Sequence, residues 1–168
     1  TISAGNVIGF AMECNERGLL PRAAGDPDLR FGNKEALIQA LHAIAFRQGI
    51  GDLLADGSKR MAAQLGGDAP GFAMHVKGLE FPAYEPRGAF GSGLSYAVSP
   101  RGACHRRAWP PAKEILGGYP PYTIEGKAAM IKDLYDENCV LHSLLVCDMP
   151  AKFVPMSLEV YSQYFHAA

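Results

Sequence analysis

The sequence predicts a mainly α, multihelical fold, with two helical subdomains at residues 1–85 and 86–168 and long Gly/Pro-rich connecting loops. Three observations carry that expectation. Apolar residues recur at the 3.6-residue spacing of an amphipathic helix in several segments. Only one short stretch, 72–77, alternates in the manner of a strand. The 19 glycines and 12 prolines mark many element boundaries instead of a few long helices.

The first helix is expected over Thr1–Arg17, with Thr1 or Ser3 as cap, Val7, Ile8, Phe10, Ala11 and Cys14 as the apolar positions, and Gly18 as the stop. Glu13 falls late in that helix, where its charge opposes the macrodipole, and is expected to be solvated. After a loop punctuated by Pro21 and Gly25-Asp26-Pro27, Asn33 caps a second helix from Lys34 to about Gln48. Its buried stripe is expected to be Ala36, Leu37, Ala40, Leu41, Ile44 and Ala45, with His42 at the border and Gly49 ending the helix. A third helix is expected from Gly51-Asp52 to Leu65, with Gly57 inside it marking close packing and Lys59 and Arg60 on a solvated face.

Residues 72–77 are expected to be a short extended piece, and Pro82 and Pro86 exclude a helix through that region. A segment with glycines at 88, 91 and 93 follows, expected to be a loop or a broken helix. Its Phe81, Tyr84, Phe90, Leu94 and Tyr96 are too many apolar and aromatic residues for a disordered stretch. Thr123 then caps a helix to Asn138, and the nearly all-apolar run Cys139–Cys147 is expected in the core. Ser157–Phe165 is expected to form a last helix.

Composition excludes some functions. The formal net charge is −1, which gives no global electrostatic case for nucleic acid or an anionic membrane surface. No apolar run reaches the 18 residues or so that a membrane helix needs. The four cysteines, 14, 104, 139 and 147, form no CxxC pair, so reduced thiols and a cytoplasmic setting are the default. The chain opens on Thr1, within what reads as a structured motif, and is expected to be a piece of a larger protein.

Two constellations carry chemistry. Arg101-Gly102-Ala103-Cys104-His105-Arg106-Arg107 gathers a thiol, an imidazole and three guanidiniums. It could be a catalytic thiol, a metal site or an anion site, because guanidiniums lower a thiol pKa and clamp phosphates; basic residues at a loop–helix boundary are also commonly just solvated. Cys139, His142 and Cys147 could join Cys104 or His105 around zinc, although zinc ligands usually come in closer pairs, and buried inert thiols are the alternative. P-loop, GxGxxG, GxSxG and HExxH motifs are absent.

Several blocks, in order, resemble one family. Thr1-Ile2-Ser3-Ala4-Gly5-Asn6-Val7-Ile8-Gly9-Phe10-Ala11-Met12-Glu13-Cys14 looks like the helix after the first pterin motif, roughly D-x-x-G-L-D, of tungsten-containing aldehyde:ferredoxin oxidoreductases. Phe31-Gly32-Asn33, Gly49-Ile50-Gly51-Asp52-Leu53-Leu54, and Lys77-Gly78-Leu79-Glu80 with Pro86-Arg87-Gly88 continue the resemblance. Leu94-Ser95-Tyr96-Ala97 with Arg101–His105 is its most specific block.

The resemblance implies the helical C-terminal region of an enzyme that oxidises aldehydes to carboxylates and passes two electrons to ferredoxin. The implied cofactors are tungsten or molybdenum on two pterins of the molybdopterin type, and one [4Fe-4S] cluster. His105 aligns with a family histidine near the metal that is proposed to move protons, a role suited to an imidazole because its pKa lies near working pH. Cys147 aligns with the fourth cluster cysteine, within the second pterin motif, roughly D-x-x-G-L-C. Here the chain departs: His142 stands for the aspartate and Leu145-Val146 for Gly-Leu, so a pterin held by His142, Val146 and Cys147 uses altered contacts.

Segment 87–101 is expected to shape the substrate channel. The other three cluster cysteines and a β-rich N-terminal domain are expected outside this sequence, so the isolated chain is expected to lack both cofactors and to be inactive. A homodimer is possible within the family. The weighed alternatives are a tungsten benzoyl-coenzyme A reductase-like subunit, a non-catalytic helical binding or scaffold domain, and a zinc-stabilised domain.

Overall fold

A computed structural model describes residues 2–149 together with Glu159, Ser162 and Gln163. Among them the fold is mainly helical, as the sequence predicts. Helix α1, Ile2–Glu16, runs through the first core and buries Val7, Ile8, Phe10, Ala11, Met12 and Cys14. Burial pushes the Cys14 thiol up to about 11, which leaves it protonated and inert. Glu13 is not simply solvated: it pairs with Arg17 one turn on, and the Arg17 guanidinium lies 4.1 Å from the centre of the Phe72 ring.

Helix α2, Lys34–Phe46, starts as expected, with the Asn33 side chain accepting the Ala36 N–H at 3.1 Å. It stops earlier than Gln48, because Arg47 takes the left-handed C-cap conformation at φ 50°. The expected buried stripe is also narrower. Only Ala36 and Ala40 are fully buried, whereas Leu37 and Leu41 stay exposed. The reason is close packing. Gly51 of the next helix meets the Ala43 backbone, where an added Cβ would fall 2.1 Å from the carbonyl carbon, so small side chains alone fill the inner seam.

The expected third helix is two helices, α3 at Ile50–Ala55 and α4 at Ser58–Leu65. Gly57 breaks it with φ 85°, and the buried Glu80 carboxylate enters the break and accepts the Ser58 N–H at 2.8 Å. A distant side chain therefore caps α4, satisfying one of the amide groups that a helix start leaves open. Leu54 and Met61, from the two halves, join α1 in the core. Each such buried side chain contributes about 1.5–3 kcal/mol. Short helix α5, Ala69–Phe72, stacks Phe72 on Phe10 with ring centroids 5.3 Å apart.

Strands β1, His75–Val76, and β2, Leu79–Glu80, form an antiparallel hairpin with His75 opposite Glu80. Its two turn residues, Lys77 and Gly78, both have positive φ, as the tightest hairpin turns require. The extended piece expected over 72–77 thus shrinks to two residues. The glycine segment is not a broken element, because Phe90–Val98 is a regular helix, α6. Gly91 is needed there because a Cβ would meet Glu114 and Met130 at 2.8 Å.

A 3₁₀ turn at His105–Arg107 and a π-type turn at Ala112–Leu116 follow, then helix α7 at Lys127–Ser143. Helix α7 begins four residues after the expected cap. Thr123 bonds the Pro120 carbonyl at 3.5 Å, and Gly126 at φ 71° turns the chain into the helix. A second core gathers Ala108, Met130, Ile131 and Leu134. The run Cys139–Cys147 is not core-buried. Helix α7 packs through one face, so Leu141 is buried while Cys139, Val140, Leu145 and Cys147 point outward. The helix expected at Ser157–Phe165 lies largely outside the described residues.

Candidate active site

His105 sits where three elements meet. The 99–104 segment is strapped to the hairpin by Lys77, whose ammonium donates to the Ser99 carbonyl at 2.7 Å. Gly102 lies so close to the hairpin that an added Cβ would come 2.0 Å from the Val76 carbonyl oxygen. Tyr96 of α6 is buried with its ring 5.3 Å from that of Phe81, and its hydroxyl donates to the Tyr84 carbonyl at 3.2 Å. That bond holds Tyr84 against the His105 imidazole, with ring centroids 5.5 Å apart and planes at 42°.

From the other side, Asn138 of α7 donates to the Arg107 carbonyl at 2.8 Å, and Arg106 pairs with the buried Asp148. His105 and Cys147 are therefore each one residue from the same ion pair. Burial lowers the His105 pKa below the ordinary histidine value. The neighbouring Arg106 charge pushes the same way, and Asp148 opposes. The imidazole is neutral at neutral pH, able to accept a proton.

The other expected site residues separate. Cys104 is buried under the turn, with its N–H on the Gly102 carbonyl at 2.7 Å. The three guanidiniums do not converge: Arg101 is exposed, and Arg106 is committed to Asp148. His142 is half-buried in the last turn of α7, and its carbonyl accepts the Leu145 N–H at 3.1 Å. The Val146 N–H is committed to the Leu141 carbonyl at 3.0 Å. Leu145 stands in the motif's glycine position and still takes a left-handed backbone, φ 57°.

Cys147 is exposed, so its thiol is open to serve as one metal ligand. Among the described residues no three His, Cys, Asp or Glu side chains gather around a common point. A [4Fe-4S] cluster usually takes four thiolates. Cys147 by itself could supply one of those four.

Sequence reasoning missed Tyr84, Asn138 and Asp148. Asp148 carried a usable signal, as a carboxylate next to an otherwise apolar run that ends in cysteine. It also missed the buried Glu114–Lys127 pair, in which Glu114 accepts the Gly91 N–H at 2.8 Å and so fixes the start of α6.

The family described as "Aldehyde ferredoxin oxidoreductase, domains 2 & 3" matches residues 1–168. A tungsten-containing aldehyde ferredoxin oxidoreductase of Pyrococcus horikoshii is 41% identical over 156 residues, 88% of this chain and 25% of that protein. One from Thermococcus kodakarensis is 48% identical over 147 residues, 84% of this chain and 24% of that protein. The active-site complex BamBC of benzoyl coenzyme A reductase aligns at TM-score 0.49 and 31% identity, covering 60% of this chain and 16% of that one. The chain spans about a quarter of the length of the curated relatives it matches.

Proposed function

The chain belongs to the aldehyde ferredoxin oxidoreductase family, and on that footing we propose that it acts as part of a longer enzyme that oxidises aldehydes to carboxylic acids. Ferredoxin is the proposed electron acceptor. Tungsten (or molybdenum) on two pterins and a [4Fe-4S] cluster are the proposed cofactors; when bound, they take up the two electrons that aldehyde oxidation releases. Residues 1–85 and 86–168 are proposed as separate helical units against which the rest of the enzyme packs.

This chain's own contribution is a proton acceptor and a ligand. Oxidation of an aldehyde with water releases two protons along with two electrons. His105, neutral and half-buried, takes one proton on its ring. Tyr84 limits the imidazole's freedom and shields it from water. Cys147 offers its exposed thiol to the cluster. His142 and Val146 would hold the second pterin; with the Val146 N–H engaged by the Leu141 carbonyl, the Val146 carbonyl and the His142 ring would offer it hydrogen bonds. Helix α6 lines the approach for substrate. The proposed setting is the cytoplasm; no helix among the described residues is long and apolar enough to cross a membrane.

The observation that carries this proposal is the family match that runs the whole chain, with His105 and Cys147 each one residue from the same part-buried ion pair. The test is to produce the full-length protein with tungstate and assay aldehyde-dependent reduction of ferredoxin. Turnover with aldehydes supports the proposal. Turnover only with an aromatic coenzyme A thioester, or a purified protein that holds neither tungsten nor iron, overturns it.

A further inference from the structure

We infer that Asp148 is a positioning residue that sets the pose of the His105 ring through Arg106; the inference rests on the proposed role of His105 as the proton acceptor. The side chains of Arg106 and Asp148 meet across 42 residues of sequence. Asp148 is buried, and its second carboxylate oxygen has no partner among the described residues, so Arg106 is the charge that compensates it. A buried carboxylate with one partner holds that partner firmly, because separating them leaves an uncompensated charge.

The consequence falls on a very short element. The 3₁₀ turn has three residues, His105, Arg106 and Arg107, so fixing Arg106 leaves His105 little rotational freedom about the turn. Asn138 holds the carbonyl side of the same turn. Tyr84 stacks on the ring that this turn presents. Without the Arg106–Asp148 link, Asn138 would be left as the side chain of α7 that grips the turn, and the His105–Tyr84 contact would loosen. Because Asp148 follows Cys147 directly, the same link ties the proposed proton acceptor to the proposed cluster ligand.

The test reads the His105 ring and needs neither cofactor nor turnover. The full 168-residue chain carries five histidines, so ring-labelled histidine gives a simple NMR spectrum, and His105→Gln assigns the signal. In the wild-type chain, a cross-peak is expected between the His105 and Tyr84 rings, whose centroids lie 5.5 Å apart. Asp148→Asn and Arg106→Met are each expected to shift the His105 signal and abolish that cross-peak. Leu29→Ala, which truncates a buried side chain in the first core away from the turn, is expected to leave both in place. Arg106→Met strands the buried Asp148 carboxylate; if that chain fails to fold, Asp148→Asn, which removes the charge, tests the same link. A cross-peak that survives in a folded Asp148→Asn or Arg106→Met chain overturns the inference while leaving the aldehyde assignment untouched. Loss of the cross-peak in Leu29→Ala as well would also overturn it, by showing a merely structural effect.

Discussion

The Tyr84 ring packs on the His105 imidazole at 5.5 Å, and burial is the largest cause of the lowered His105 pKa. Tyr84→Leu removes part of that cover. The expected outcome is a His105 titration midpoint that moves up toward the ordinary value of about 6.5, read by NMR. The sign for stability follows. A folded-state pKa below the unfolded one means that the unfolded chain binds the proton at higher pH. The wild-type chain should therefore lose stability as pH falls from the unfolded value toward the lower folded one, and Tyr84→Leu should flatten that dependence in urea unfolding.

Glu80 caps α4 from the hairpin at 2.8 Å, a connection between elements that no local pattern announces. Glu80→Ala is expected to cost about 1–2 kcal/mol, the usual worth of a cap. Gly57→Ala should cost about as much, because it places Ala at φ 85° and a methyl 2.9 Å from the Glu80 carboxylate. Denaturant midpoints check both.

The Glu114–Lys127 pair is buried on both sides. Lys127→Met leaves the carboxylate uncompensated and is expected to cost about 3–5 kcal/mol. Adding Glu114→Gln, which keeps an acceptor for the Gly91 N–H, should recover much of that loss. A double-mutant cycle measures the coupling.

Gly102 offers the sharpest steric test. Gly102→Ala would set a methyl 2.0 Å from the Val76 carbonyl oxygen, at a backbone φ of 89°. The backbone alone costs about 1–2 kcal/mol, and the clash adds to it. The variant should show a lowered melting temperature and a displaced His105 NMR signal, because the same glycine seats the 99–104 segment on the hairpin.

Helix-forming periodicity was legible, and α1, the start of α2 and the body of α7 follow from it. What periodicity could not show was where distant side chains would intervene. Gly57 reads as an interior helix residue until Glu80, folded over from the hairpin, finds its place beside it. The Cys139–Cys147 run reads as core because apolar residues normally are, yet α7 ends at Ser143 and Leu141 is the one residue of the run that is buried. His105 was legible as a site residue through its crowded surroundings and the family resemblance. Tyr84, Asn138 and Asp148 were not, since their link to it depends on the fold bringing segments 20 to 40 or so residues apart into contact.

The central claim is that His105 takes a proton in aldehyde oxidation. The direct measurement is steady-state turnover and tungsten content of the full-length protein carrying His105→Asn. Turnover lowered about 10²–10⁴-fold, with tungsten content unchanged, is the predicted result. Undiminished turnover at normal tungsten content would contradict the claim.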